Sequence, residues 1–243
     1  MSFSFESLRG YGIHATDGDI GSVRDLYFDD TTSVVRYIVV DTGSWLPGRR
    51  VLLAPAAVGG IDHAGKAITT GLSRYQIEES PGIETDRPVS RQYEESLHRH
   101  YGWDPYWSGA AAYGMAPYWG GMGLAAVPPT VPHDPVEREL AERELAERGD
   151  PHLRSAHEVV GYYVAASDGD IGHVEDLLVD ETDWMIRKLV IDTRNWLPGK
   201  KVLVEPARLR SVEWADQHIV LDMSRADVKA SPEYDPAMVA APA

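Results

Sequence analysis

The sequence predicts a mainly β protein: two small β-barrels joined by an irregular, aromatic-rich segment and a charged helix. Three observations lead there. First, one unit is written twice, because Ser4 to Pro81 matches Ser155 to Pro232 without a gap, at an offset of about 151 residues and with roughly 30 of 78 positions identical. Second, each copy reads as about six short strands with a turn signal between each, and closing such a sheet removes the edges an open one would expose. Third, the chain between the copies is of another kind: Pro105 to Pro132 carries no charge and is interrupted throughout by Pro, Gly and Ala. The expected boundaries are residues 1–81 for the first unit, 82–152 for the linker, 153–232 for the second unit and 233–243 for a tail.

Each unit opens on a helical turn. Ser155-Ala156-His157-Glu158 has capping-box spacing, and Gly161, like Gly10, ends the turn. Tyr11 to Ala15 and Ile20 to Phe28 form a hairpin about Asp17-Gly18-Asp19, repeated at Asp168-Gly169-Asp170. Val34 to Asp41 and Met185 to Asp192 are β-branched buried strands. A Trp-Leu-Pro-Gly corner at Trp45 and again at Trp196 breaks each of them, a basic pair follows, and a last hairpin leads to a capped turn at Ser73 or Ser224. In the linker, Tyr93, Leu97 and Tyr101 share one face of a short helix after Ser90 that packs on the first unit, and Asp134-Pro135-Val136-Glu137 starts a solvated helix ending at Gly149. With no cysteine, each small unit holds together by packing or by pairing with its twin, and an isolated second repeat, residues 150–232, is expected to fold cooperatively.

The Asp-Gly-Asp-Ile-Gly turn, the apolar strand ending in Asp-Thr, the Trp-Leu-Pro-Gly-basic-basic corner and the closing Ser-Pro at Ser80-Pro81 and Ser231-Pro232 resemble the PRC-barrel domain. That family is shared by the cytoplasmic part of the photosynthetic reaction-centre H subunit and the C-terminal domain of ribosome maturation factors. The resemblance covers both copies, implies a docking barrel in each and supplies no catalytic residues to carry over.

Composition narrows the function further. The formal net charge is −15, and each segment of the chain is negative, which disfavours broad binding to nucleic acid or anionic lipid. The absence of cysteine excludes disulfides and thiolate metal sites, and Met1 to Glu6 lacks the pattern of a secretory signal, so a cytoplasmic location is expected. The interrupted middle is no transmembrane helix.

Asp17, Asp19, Asp168 and Asp170 have the i, i+2 spacing of calcium-loop carboxylates, but position 12 from Asp17 is Phe28 rather than Glu, so Asp17, Gly18, Asp19, Asp168, Gly169 and Asp170 are assigned to turn geometry. His98 and His100 lack a third ligand and are placed at an exposed helix end. Neither metal nor cofactor is expected. Arg36 with Asp41, and Arg187 with Asp192, fall on opposite strand faces, and each Asp is expected to accept from the Trp corner. Trp45 and Trp196, beside cations, and Trp103, Trp107 and Trp119 in the middle are the candidate partner-binding residues, since aromatic anchors dominate protein interfaces. The expected function is a non-enzymatic docking scaffold that contacts a protein partner, with the barrels paired within one chain or as a homodimer. The alternatives are a ribosome or RNA-processing accessory factor and a peripheral membrane or photosynthetic-complex subunit that uses Tyr101 to Gly123.

Overall fold

A computed structural model of the chain describes residues 2–80, 97–103, 152–193 and 200–239. The aromatic run beyond Trp103 and the Glu/Arg helix expected after Asp134 lie outside these residues.

Each copy builds a mixed sheet, and each sheet takes one strand from the other copy. In the first repeat the elements are β1 (Ser2–Ser4), α1 (Phe5–Leu8), β2 (Gly12–Ala15), β3 (Gly18–Asp29), β4 (Val35–Asp41), β5 (Arg50–Leu53), β6 (Val58–Asp62), β7 (Ala67–Thr70) and α2 (Arg74–Glu78). The second repeats the order as β8 (Leu153–Ser155), α3 (Ala156–Val159), β9 (Tyr163–Ala166), β10 (Gly169–Asp180), β11 (Ile186–Asp192), β12 (Lys201–Val204), β13 (Leu209–Glu213), β14 (His218–Leu221) and α4 (Arg225–Ala230). The sheets run β5-β4-β3-β2-β7-β6 and β12-β11-β10-β9-β14-β13, with β2 parallel to β7 and β9 parallel to β14. Among the described residues no ladder joins β5 to β6 or β12 to β13, so hydrogen bonding leaves two mixed sheets with open paths. One free edge is met otherwise: Leu203 N donates to Pro232 O at 2.9 Å and Tyr234 N to Lys201 O at 2.8 Å, so the chain after the second repeat lines β12.

The exchange follows from strand length. β3 and β10 are 12 residues long, whereas their hairpin partners β2 and β9 have 4, so half of each long strand lacks a neighbour on that side. The other repeat supplies it. β1 pairs with β10 through Ser2↔Asp180, Phe3↔Val179 and Ser4↔Leu178, and β8 pairs with β3 through the equivalent Asp29↔Leu153, Phe28↔Arg154 and Tyr27↔Ser155. The turns before β4 and β11 also meet: Val35 N donates to Trp184 O and Ile186 N to Ser33 O, both at 2.8 Å, around a Val34↔Met185 bridge. Val34 and Met185 are equivalent positions, so a pseudo-twofold axis passes between them. Phe3, Phe5 and Leu8 are fully buried in one continuous core that draws on both repeats.

The helical turns lock the exchange. Ser4 caps α1 by accepting from Ser7 N at 3.1 Å, and its hydroxyl donates to Asp176 of the other repeat. Asp176 Oδ1 also accepts from Glu6 N at 3.1 Å and Leu177 N at 2.7 Å. The mirror set is Asp25, which accepts from Ser155 Oγ at 2.5 Å, His157 N at 2.9 Å and Leu26 N at 2.7 Å. Burial pushes both carboxyls above the usual carboxylate range, and the hydrogen bonds from Ser155 and Ser4 pull them back only in part.

The repeated glycines serve close backbone contacts. Gly18 and Gly169 hold φ of +148° and +140°, where a β-branched side chain is strained, as the hairpin reading of these positions requires. At Gly172 a Cβ would lie 1.8 Å from Asp192 O, so the strand crossing admits no side chain.

Two expected outcomes follow from the exchange. A fragment of residues 152–239 lacks β1 and the Ser4 hydroxyl, which revises the expectation of an autonomous second repeat. Calorimetry of this fragment should show no cooperative transition, and adding residues 2–80 should restore one; a full transition from the fragment alone contradicts the shared core. The pH dependence has a definite sign. The folded carboxyls of Asp25 and Asp176 keep protons that the unfolded chain has released, so their contribution to stability is complete below about 3.9, the unfolded carboxylate value, and is lost as pH rises through their raised folded values. As pH falls from 7 toward 4, the wild type should therefore gain stability relative to an Asp25→Asn/Asp176→Asn variant. A difference in melting temperature that stays constant with pH contradicts the assignment.

Candidate functional site

Of the assigned turn residues, Asp17 and Asp168 act as caps. Asp17 Oδ1 accepts from Arg74 N at 2.7 Å, and Asp168 Oδ1 from Arg225 N at 2.8 Å, so each turn carboxylate satisfies the first N–H of the helix after the sheet. Arg225 also donates through Nη2 to Asp170 O at 2.7 Å, and Asp19 pairs with His14 Nδ1 at 2.6 Å on the surface.

The Trp corner of the first repeat is half-buried. Trp45 packs against the edge of the main core, and the Arg74 guanidinium lies 4.7 Å from its ring centroid, a cation–π contact. Tyr75, next on the same helix, is 69% exposed. Asp41 accepts from Gly43 N at 2.9 Å, a residue ahead of the Trp-Leu-Pro-Gly corner rather than within it. Arg36 instead finds Asp29 as a buried ion pair, and Arg187 finds Asp183 on the surface. Trp196, Trp107 and Trp119 lie outside the described residues.

Trp103 belongs to a second apolar cluster, on the outer face of the first sheet. Tyr27, Tyr37, Val39 and Leu52 form its floor and Leu153 of β8 one wall, with Leu97, Tyr101 and Trp103 packed above. His98 was expected at an exposed helix end, yet it is 6% exposed and shares a 2.9 Å hydrogen bond with the Tyr37 hydroxyl. His98 is the turn's link to the sheet, because the helical turn brings this imidazole round to the side that carries Leu97. Tyr101 and Trp103 stack with centroids 4.3 Å apart.

Reading the sequence one copy at a time missed a polar row across the second sheet. Strand register places Lys201, Asp192, His173, Tyr163, His218 and Glu213 in one row across the second sheet. Equivalent positions in the first sheet hold Arg50, Asp41, Ser22, Gly12, Ala67 and Asp62. Tyr163 is 64% exposed and lines an open cavity of about 360 Å³ with Asp170, Glu213, Asp216 and His218. Aligning the two copies position by position is the signal that finds it. His173, Glu175 and Asp192 bring ligand-type atoms within 4.8 Å of one another, but Lys201 Nζ sits 2.6 Å from Glu175, so a cation of the chain already neutralises that carboxylate. The cavity lining holds no Ser, Thr or Cys that could act as a nucleophile.

No helix among the described residues is long and apolar enough to cross a membrane. A relative from Deinococcus radiodurans, described as an uncharacterized protein, is 31% identical over 103 residues; the match spans 37% of this chain and 37% of that protein. The family model of the PRC-barrel domain matches residues 1–70 and 151–228. Such domains are non-catalytic modules, and the match takes in both exchanged sheets. The chain belongs to the PRC-barrel family, as a tandem pair of its domains.

Proposed function

We propose that this chain is a non-enzymatic docking scaffold in which two barrel-like modules, fixed to each other by strand exchange, present different outer surfaces to protein partners. The observation that supports it is where the copies differ. They agree at the turns, caps and crossing glycines that build the frame. They part at side chains that face outward: Tyr27 and Tyr37 against Leu178 and Lys188, and Gly12, Ser22 and Ala67 against Tyr163, His173 and His218. Duplication followed by chemical divergence of the outer sheet faces, while core positions such as Phe28 and Val179 stay apolar, fits two binding surfaces on one frame.

Trp45 with Arg74 and Tyr75 is one proposed contact, and Trp103 with Trp107, Trp119 and Trp196 extends the aromatic set. A negative formal charge favours a protein partner over RNA or anionic lipid. The proposed location is cytoplasmic.

The test compares the proteins co-purified by the tagged full chain with those recovered by two variants, Trp45→Ser and the joint Trp103→Ser/Trp107→Ser/Trp119→Ser. An interface anchor typically contributes about 2 kcal/mol or more, so at least one variant should lose a specific partner while keeping the wild-type melting transition. Identical recoveries from all three proteins would contradict the proposal.

A further inference from the structure

We infer that the outer face of the first sheet is a docking groove for a short aromatic turn, and that residues 97–103 fill it in cis as a displaceable plug. The inference rests on the docking reading above and names the chemistry of one partner.

The floor is unusual for a face that points away from the main core. Tyr37 and Leu52 are fully buried and Val39 is 1% exposed, yet these residues form a cluster apart from the core that unites the two repeats. Among the described residues, one turn and the tip of the exchanged strand β8 cover them. The same positions in the second repeat hold Lys188, Leu203 and Val190, and Lys188 turns to Glu205 at 2.6 Å. An aromatic floor is therefore a property of the first copy alone, and it is matched to what lies on it.

The plug shows what the groove accepts. Leu97 is fully buried against the floor, and His98 Nε2 and the Tyr37 hydroxyl share their hydrogen bond beneath the turn. Trp103 N donates to His98 O at 3.0 Å and Gly102 takes φ of +68°, so the chain folds back and stacks Tyr101 on Trp103 over the groove. A further tie to the body is His100 Nε2, which donates to Gln76 O at 2.7 Å. Tyr101 and Trp103 are partly buried. The turn is seated by the burial of Leu97 and the packing of Tyr101 and Trp103 on the floor, contacts that a turn of the same kind from another protein reproduces. The partner is thus a protein presenting an apolar residue, an imidazole beside it and a stacked aromatic pair within one helical turn.

Because the plug is part of the chain, a free turn competes with an intramolecular ligand and should bind the intact protein poorly. The probe is a fluorescent peptide of residues 97–103, Leu-His-Arg-His-Tyr-Gly-Trp, followed by anisotropy. Full-length Leu97→Asp/Trp103→Asp, with its own plug disabled, should bind the peptide saturably and at least about 10-fold more tightly than wild type. Adding Tyr37→Phe, which deletes only the hydroxyl, should weaken that binding about 5-fold, the effect of one hydrogen bond. Two results overturn the inference: no binding by a variant that keeps its melting transition, or loss of that transition, which would make the turn part of the core. Either leaves the Trp45 comparison intact, so failure of the groove and failure of the docking reading are distinguishable.

Discussion

A buried carboxylate that receives the cap of the other repeat is the contact on which this fold turns. Asp25 and Asp176 each stand where a long strand bulges, and each binds a serine hydroxyl and a backbone N–H that begin a helical turn 130 or more residues away. A desolvated carboxylate is tolerated only when its oxygens are satisfied, and here two of the three named donors to each come from the other repeat. Neither sheet is complete by itself. The exchanged strands, the shared core and the pseudo-twofold bridge at Val34 and Met185 all depend on that reciprocity.

Such a frame frees its surface to change. The glycine that passes beneath the Asp192 carbonyl cannot accept a side chain, and the Asp of each acidic turn is held by a helix N–H, so these positions stay alike in both copies. Positions facing outward carry no such constraint. One sheet has gained an aromatic floor with a turn seated on it, and the other has gained a row of two imidazoles about an exposed phenol. The frame accounts for what is repeated, and docking accounts for what is not.

Local structure was largely legible in the sequence because local chemistry decides it. Gly18 and Gly169 announced turns, Ser73 and Ser224 announced capped helices, and the β-branched runs announced the central strands. Exchange was not legible, since Phe3 and Leu153 look like the start of any strand. A clue existed in the apolar run at the end of β3, which outlasts the four residues of its hairpin partner. The reading that Arg36 does not pair with Asp41 left its partner open: that partner is Asp29, across the turn before its own strand, and sequence separation alone does not reveal a pair made by a hairpin. For the candidate surfaces, single residues such as Trp45 were visible, whereas the Tyr163 row emerged only when register joined six strands.

The most direct test of the exchange uses the absence of native cysteine. Ser2 and Asp180 face each other in the β1 and β10 ladder, a separation compatible with a disulfide. In a Ser2→Cys/Asp180→Cys variant under mild oxidation, mass spectrometry of the digested monomer should find the first peptide of the chain joined to the peptide from the end of β10. Thiols that stay free, or that join only different chains, would contradict a fold in which each repeat is completed by the first strand of the other.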